Sequence, residues 1–189
     1  MDALKMLRDD HKHVKDLFKE FETAESAAQK KRIVGEACDA LETHTTLEEE
    51  IFYPAIRKDG ADDDMMNEAD EEHLVAKRLI KELRGMKPAD EYYDAKFTVL
   101  AENVKHHIDE EESEMLPKAA EAGAERMREL GERMAERRQE IETTGPNRPA
   151  PRSKLASPTA RTASRAGRGQ SRASTRTRKP AAAAKRARS

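Results

Sequence analysis

His44-Thr-Thr-Leu-Glu-Glu-Glu-Ile-Phe-Tyr-Pro54 and His107-Ile-Asp-Glu-Glu-Glu-Ser-Glu-Met-Leu-Pro117 share one pattern: a histidine, a glutamate four residues on (Glu48, Glu111), and a proline six beyond that. Upstream of the two copies, by 33 and 34 residues, stands one further histidine each, His11 and His73, preceded by an acid, Asp10 or Glu72. Moving outward, apolar residues recur at heptad-like spacing on both sides of every one of these positions. The runs are Leu4, Leu7, His11, Val14, Phe18, Phe21; Ile33, Ala37, Leu41, His44, Glu48, Ile51, Ala55; Met66, Ala69, His73, Ala76, Ile80, Leu83; and Phe97, Leu100, Val104, His107, Glu111, Met115. Such spacing marks helices that bury one stripe. The histidines and glutamates lie on the stripe, so they point into the core.

The runs are separated at Ser26, between Lys58 and Asp64 around Gly60, and between Gly85 and Asp90 around Pro88. Short connections make neighbouring helices antiparallel, so the expected fold is all-α, an up-down-up-down four-helix bundle built from two helical hairpins. Pro54 and Pro117 are expected near helix ends, where a missing N–H is tolerated. A thinner stripe, Met127, Leu130, Met134 and Ile141, predicts an extra C-terminal helix that packs on the bundle or mediates self-association. The expected division is a bundle over 1–120, an additional amphipathic helix over 121–144 and a disordered basic tail over 145–189, whose Ala, Ser, Thr, Pro, Gly and Arg offer almost nothing to bury.

With 39% charged and 36% hydrophobic residues and no Trp, the composition favours long polar-faced helices over sheet. The single cysteine, Cys38, gives neither a disulfide framework nor a thiolate metal site, and reads as a small core residue. No apolar run reaches the ~18 residues of a membrane span, and the N-terminus lacks a basic-then-apolar leader, so a cytoplasmic location without membrane contact is expected. The net charge of −2 conceals an asymmetry: of 36 Lys and Arg, 13 fall between Gly145 and Ser189, where there is no Asp or Glu, leaving 23 bases against 38 acids in the body, a balance of −15. Such a tail attracts nucleic acid in a salt-sensitive, sequence-independent way. It equally suits a solvated linker or a segment folded on its own acidic body. Having no aromatics, it supports no stacking readout of single strands.

A His and a Glu four apart on a helix are separated by about 40° and roughly one 5.4 Å turn, so both reach the same centre. Two helices supply such a pair and two supply one His each. Burying two carboxylates and four imidazoles without partners costs several kcal/mol apiece, about the scale of a polar group moved out of water. Two cations remove that cost. Mixed imidazole and carboxylate donors suit iron, manganese or zinc. The dicarboxylate bundle class with Glu-x-x-His is not matched, since no histidine here has a Glu three residues before it. His13, about 200° around the helix from His11, and His106, one residue away from the His107 stripe, are expected in solvent.

Asp10-His11, His44-Thr-Thr-Leu-Glu48 running into Ile51-Phe-Tyr-Pro54, Glu72-His73, and His107-Ile-Asp-Glu-Glu111 running into Met115-Leu-Pro117 together resemble the hemerythrin-like, or HHE cation-binding, family from Leu4 to about Pro117. The tail resembles those of bacterial histone-like proteins. The family resemblance implies two iron ions in an oxo-bridged, non-haem di-iron centre, with Mn or Zn less favoured. His11, His44, His73 and His107 are the implied terminal ligands, and Glu48 and Glu111 the implied bridges. One position departs from the pattern: Lys77 stands where oxygen-carrying hemerythrins have a fifth histidine. Either Lys77 turns out to solvent, or the position is taken by water, an exogenous ligand or Tyr53, which lies about 140° from Glu48 on an ideal helix unless the turn before Pro54 is irregular. Reversible oxygen carriage is therefore not implied. The expected function is to bind or react with O2, peroxide or NO at an open iron position, as a catalase-like enzyme or as a sensor. The alternative is a DNA-associated iron-binding or nucleoid-type structural protein acting through residues 145–189.

Overall fold

The computed structural model describes residues 2–144; the tail expected over 145–189, with the nucleic-acid contacts assigned to it, lies outside them. Every regular element among the described residues is helical. Helix α1 spans Ala3–Glu22 and α2 Ala27–Leu47. A π-helical turn, Glu48–Phe52, joins α2 to α3, Tyr53–Lys58. Helix α4 covers Asp63–Arg84 and α5 Tyr93–Glu110; a second π turn, Glu111–Met115, leads into α6, Leu116–Ala120. Helix α7 runs Ala124–Thr144.

Local chemistry sets these boundaries. Asp2 caps α1 by accepting from the Lys5 N–H, and Ser26 forms a reciprocal capping box with Gln29 at the start of α2. Asp62 accepts from the Asp64 and Met65 N–H groups at the start of α4. Helix α3 closes through Gly60 at φ +96°, with the Ala61 N–H reaching Ile56 O and the Gly60 N–H reaching Arg57 O. This is a Schellman closure, and the left-handed residue it needs would strain any side chain.

Pro54 and Pro117 fall in the first turns of α3 and α6, at helix ends as expected, but the chain runs into them through a π turn rather than a break. In α geometry the Pro54 ring would strike the carbonyl of Glu50. The chain avoids this by taking an extra residue into the preceding turn, so that the Tyr53 N–H bonds Glu48 O, five residues back. The same happens before Pro117, where the Leu116 N–H bonds Glu111 O. A wide turn of this kind rotates the helix beyond it. Tyr53 accordingly turns inward, its hydroxyl reaching Glu111 and His73, where ideal α geometry would put it about 140° from Glu48.

Helix α1 packs on α2 and α4 on α5, with further contacts between α2 and α4 and between α1 and α5, which makes a helical bundle. Its apolar interior falls into two clusters. One holds Val14, Phe18, Phe21, Ile33, Leu41, Ile80, Phe97, Leu100 and Ile108; Phe97 meets Phe18 edge-on at 5.6 Å. The other holds Leu7, Leu47, Phe52, Met66 and Leu116 together with Met127, Leu130 and Met134 of α7. Between the clusters lies a buried polar layer of His11, His44, Glu48, His73, His107 and Glu111. Helix α7 covers only the second cluster, against α1, α2 and the first π turn. Cys38 is a buried core residue, and burial pushes its thiol up to about 12. No helix among the described residues is long and apolar enough to cross a membrane.

Candidate metal centre

The polar layer is drawn from both halves of the bundle: His11 from α1, His44 from α2, Glu48 from the first π turn, His73 from α4, His107 from α5 and Glu111 from the second π turn. All six are buried, Glu48 completely. Their donor atoms fall into two overlapping groups, His11, His44, Glu48 and Glu111, and Glu48, His73 and His107, each with one atom per residue inside a 4.8 Å span. His11 Nε2 lies 3.2 Å from Glu111 Oε2, His44 Nε2 3.2 Å and His73 Nε2 3.3 Å from Glu48 Oε2, and His107 Nε2 3.6 Å from Glu111 Oε2.

The outward ring nitrogens all face carboxylates from other helices. His11 Nδ1 is 2.9 Å from Glu112, His73 Nδ1 3.0 Å from Glu49 and His107 Nδ1 2.7 Å from Glu72. Asp10 stands 3.5 Å from His44 Nδ1, the loosest of the four. For His11, His73 and His107 the carboxylate holds the proton on Nδ1 and turns the Nε2 lone pair inward, while His44 Nδ1 makes no hydrogen bond. The inner atoms are then acceptors facing acceptors. His11 Nε2, His44 Nε2, both Glu48 oxygens and Glu111 Oε2 are buried without a hydrogen-bond partner. Buried acceptors at such distances are satisfied by cations, and the donor set of nitrogen and oxygen fits a first-row divalent ion.

Electrostatics expose the same frustration. Glu48 is held well above the usual carboxylate range by burial and by the charge of Glu111 beside it. Burial also works to raise Glu111, but His11, His107 and His44 outweigh it and keep Glu111 ionised. Burial pushes His44 down to about 4 in spite of Asp10. For His107 burial is outweighed by Glu72, Glu111 and Glu48, which raise it.

All six residues singled out from the sequence meet in this layer. Tyr53 joins them: its hydroxyl donates to Glu111 Oε1 at 2.8 Å and lies 3.4 Å from His73 Nε2, with the two rings stacked. Its phenol is raised well above its ordinary value, first by burial and then by Glu48 and Glu111, so in the cation-free cluster it is a donor and not a tyrosinate. Lys77 turns away from the layer and grips both oxygens of Glu49, the carboxylate behind His73. His13 and His106 are exposed, as expected.

Four supporting residues were not singled out by sequence reasoning as partners of the ring nitrogens: Asp10, Glu49, Glu72 and Glu112. Their signal was present, since an acid precedes His11 and His73 and another follows Glu48 and Glu111. Arg138 of α7 was missed too; it pairs with Asp10, Oδ2 to Nη2 at 2.5 Å, and thereby reaches toward His44 from outside the bundle. Its neighbour Arg137, buried on the apolar stripe, holds Glu50 of the first π turn.

A model of the family described as Hemerythrin HHE cation binding domain matches residues 2–119. A protein named DNA nickase from Nostoc sp. (strain PCC 7120 / SAG 25.82 / UTEX 2576) is 27% identical over 113 residues, which are 60% of this chain and 32% of that protein. The chain thus spans about a third of that relative's length. The crystal structure of a hemerythrin HHE cation binding domain-containing protein from Mycobacterium kansasii superposes with a TM-score of 0.64 at 23% identity, covering 77% of this chain and 94% of the other. At that identity the likeness speaks for the fold.

Proposed function

The chain belongs to the hemerythrin HHE cation-binding family, and from that membership we propose that it is a di-iron protein of antiparallel up-down-up-down architecture that binds or reacts with O2, peroxide or NO. The bundle over 1–120 holds the iron, the helix over 121–144 braces it, and the tail over 145–189 is a separate segment. His11, His44, His73, His107, Glu48 and Glu111 would hold the iron. One observation carries the reading: Nε2 of His11 and His44, both oxygens of Glu48 and Oε2 of Glu111 are buried together without hydrogen-bond partners. Bound iron supplies Lewis acidity and a one-electron redox couple.

The chain's own residues set what reaches that iron. A cavity of about 20 Å³ lies over the four histidines, walled by Val14, Leu41, Ala76, Val104 and Ile108. It admits a ligand of a few atoms and, being apolar, offers water little to bond to. Tyr53 holds a proton at its hydroxyl, 2.8 Å from Glu111, at the edge of the cluster. Lys77, with its ammonium on Glu49, fixes the carboxylate that orients His73 and donates no ligand. This arrangement favours reaction or sensing over reversible carriage.

Anaerobic loading with ferrous iron tests the proposal. Elemental analysis is expected to give about two irons per chain, and the His44→Ala, Glu48→Ala double variant well under one. A wild-type content below about one iron would overturn it. Sustained peroxide or NO consumption by the loaded protein marks an enzyme; a stoichiometric spectral change without turnover marks a sensor.

A second reading, DNA association, is favoured by the 13 bases of the tail and is echoed by the name of the Nostoc relative. Retardation of arbitrary duplex DNA at low salt, lost on truncation after Thr144, is the expected result. Equal retardation by the truncated body would refute it.

A further inference from the structure

The two halves of the bundle correspond at offsets that differ by one, 62 residues from His11 to His73 and 63 from His44 to His107. At those offsets Met6 and Leu7 of α1 correspond to Glu68 and Ala69 of α4. Leu47, Ile51 and Phe52 correspond to Glu110, Glu114 and Met115. In the first half all five are apolar and buried, and they share a cluster with Met127, Leu130 and Met134 of α7. In the second half three of the five are acids, only Ala69 and Met115 join that cluster, and beside them lies an open cleft of about 210 Å³.

The cleft's carboxylates are graded by depth. Asp64, Glu68 and Glu114 are exposed at its mouth, Glu72 and Glu110 are half-buried, and Glu111 forms its floor. Glu111 is 1% exposed, and its Oε2 is one of the buried oxygens without a hydrogen-bond partner. Midway, Glu72 and Glu110 bring their oxygens together with exposed His106 inside a 4.8 Å span. Among the described residues no lysine or arginine pairs with any of these acids. A concave, single-sign surface with low-dielectric walls concentrates counter-ions and raises their on-rates.

We propose that this cleft is the route by which hydrated divalent cations reach the buried cluster, and that α7 seals the corresponding route in the first half. A cation arriving at Glu68 and Glu114 exchanges its waters stepwise for carboxylate oxygens of Glu110 and Glu72, and is handed to Glu111. His107, whose Nδ1 is held by Glu72, lines the same cleft and is the first imidazole of the buried cluster that it meets. The inference rests on the reading of the six-residue cluster as a metal centre.

The test measures ferrous iron binding to the metal-free full chain in an anaerobic stopped flow at low salt, with final iron content determined separately. Glu68→Gln with Glu114→Gln is expected to slow uptake about tenfold, the lower end of electrostatic steering effects, with unchanged final content and a weaker dependence on salt. Replacing the same pair by the first-half residues, E68M with E114I, is expected to slow it at least as much. Glu102→Gln with Glu132→Gln removes the same charge from exposed positions outside the cleft and is expected to load at the wild-type rate. Wild-type rates in the cleft variants, or equal slowing in the control, would overturn the route while leaving the metal centre standing. A wild-type chain that never loads iron would overturn both.

Discussion

Helices α1 to α3 and helices α4 to α6 place the same imidazoles and carboxylates at the same spacing, yet they differ in nearly everything that surrounds those groups. Asp10, behind His44, is held by Arg138 of α7; its mate Glu72, behind His107, opens on an acidic cleft. Tyr53 reaches into the cluster from the first half, where the second half offers Leu116, buried in the apolar cluster. Lys15 and Lys77, each four residues beyond an α1 or α4 histidine, both approach the carboxylate that supports that histidine, but Lys77 grips Glu49 while Lys15 bonds Asp109 and stays 3.9 Å from Glu112. The contrast separates two kinds of requirement. The buried polar layer takes three residues from each half alike, whereas the α7 brace and the open acidic cleft each occur on one side only.

The severest test of whether the halves act as one unit is to remove what they share. Chelating the metal is expected to lower stability by about 4 kcal/mol or more, the linkage of a ligand present at a thousand times its Kd. Calorimetry reads this directly, and an unchanged Tm would show that the halves do not depend on a common ion. Next comes the α7 side against the cleft side. Met6→Ala is expected to cost about 3 kcal/mol, while Glu68→Met at the corresponding place changes stability by no more than about 0.5 kcal/mol, both read from urea unfolding of the metal-free chain. Similar losses at both positions would mean that α7 contributes no packing peculiar to the first half.

Tyr53→Phe is expected to cost about 2 kcal/mol, because Glu111 Oε1 then loses its donor in a buried site. Thermal unfolding checks it, and a neutral result would place the hydroxyl outside the cluster's hydrogen bonding. Arg138→Gln should weaken iron affinity about tenfold, the lower end for residues behind a metal ligand. Competitive chelator titration measures it, and no change would mean that Asp10 is positioned without α7. The smallest effect is spectroscopic. In histidine NMR titrations of the metal-free chain, His44 is expected to take its proton only near pH 4 and His107 above the ordinary value. For His44 the sign is that of a depressed base: between about pH 6.5 and 4 the unfolded chain binds a proton that the folded ring refuses, so acidification through that window removes stability. Identical titration of the two rings would erase the asymmetry.

The six-residue cluster was legible because a helix's period converts spacing into direction, and two copies at nearly one offset leave little room for chance. The same logic located the breaks at Ser26 and around Gly60. It could not place Tyr53, since the π turn before Pro54 adds a residue to the period on which the estimate relied. Nor could it assign Glu112 to His11, 101 residues away, because that bond depends on how α1 meets the second π turn. Arg137 and Arg138 defeated it for another reason: a charge on or beside an apolar stripe is read as a flaw in the stripe until its partners, Glu50 and Asp10, are known.

The two prolines carry a consequence for the length of the gene product. A π turn is an α-helix with one residue too many, and deleting a residue from Glu49–Phe52 would let the turn relax to α geometry with both flanks still in register. Insertions and deletions of one residue are ordinarily ruinous inside a helix, and here the penalty comes chiefly from a single ring. With one residue fewer, Pro54 would meet the carbonyl four places back, a conflict of about 3 kcal/mol. Each proline thus works as a ratchet pawl, letting the chain acquire the extra residue beside its buried glutamate and resisting its loss, twice over in one molecule.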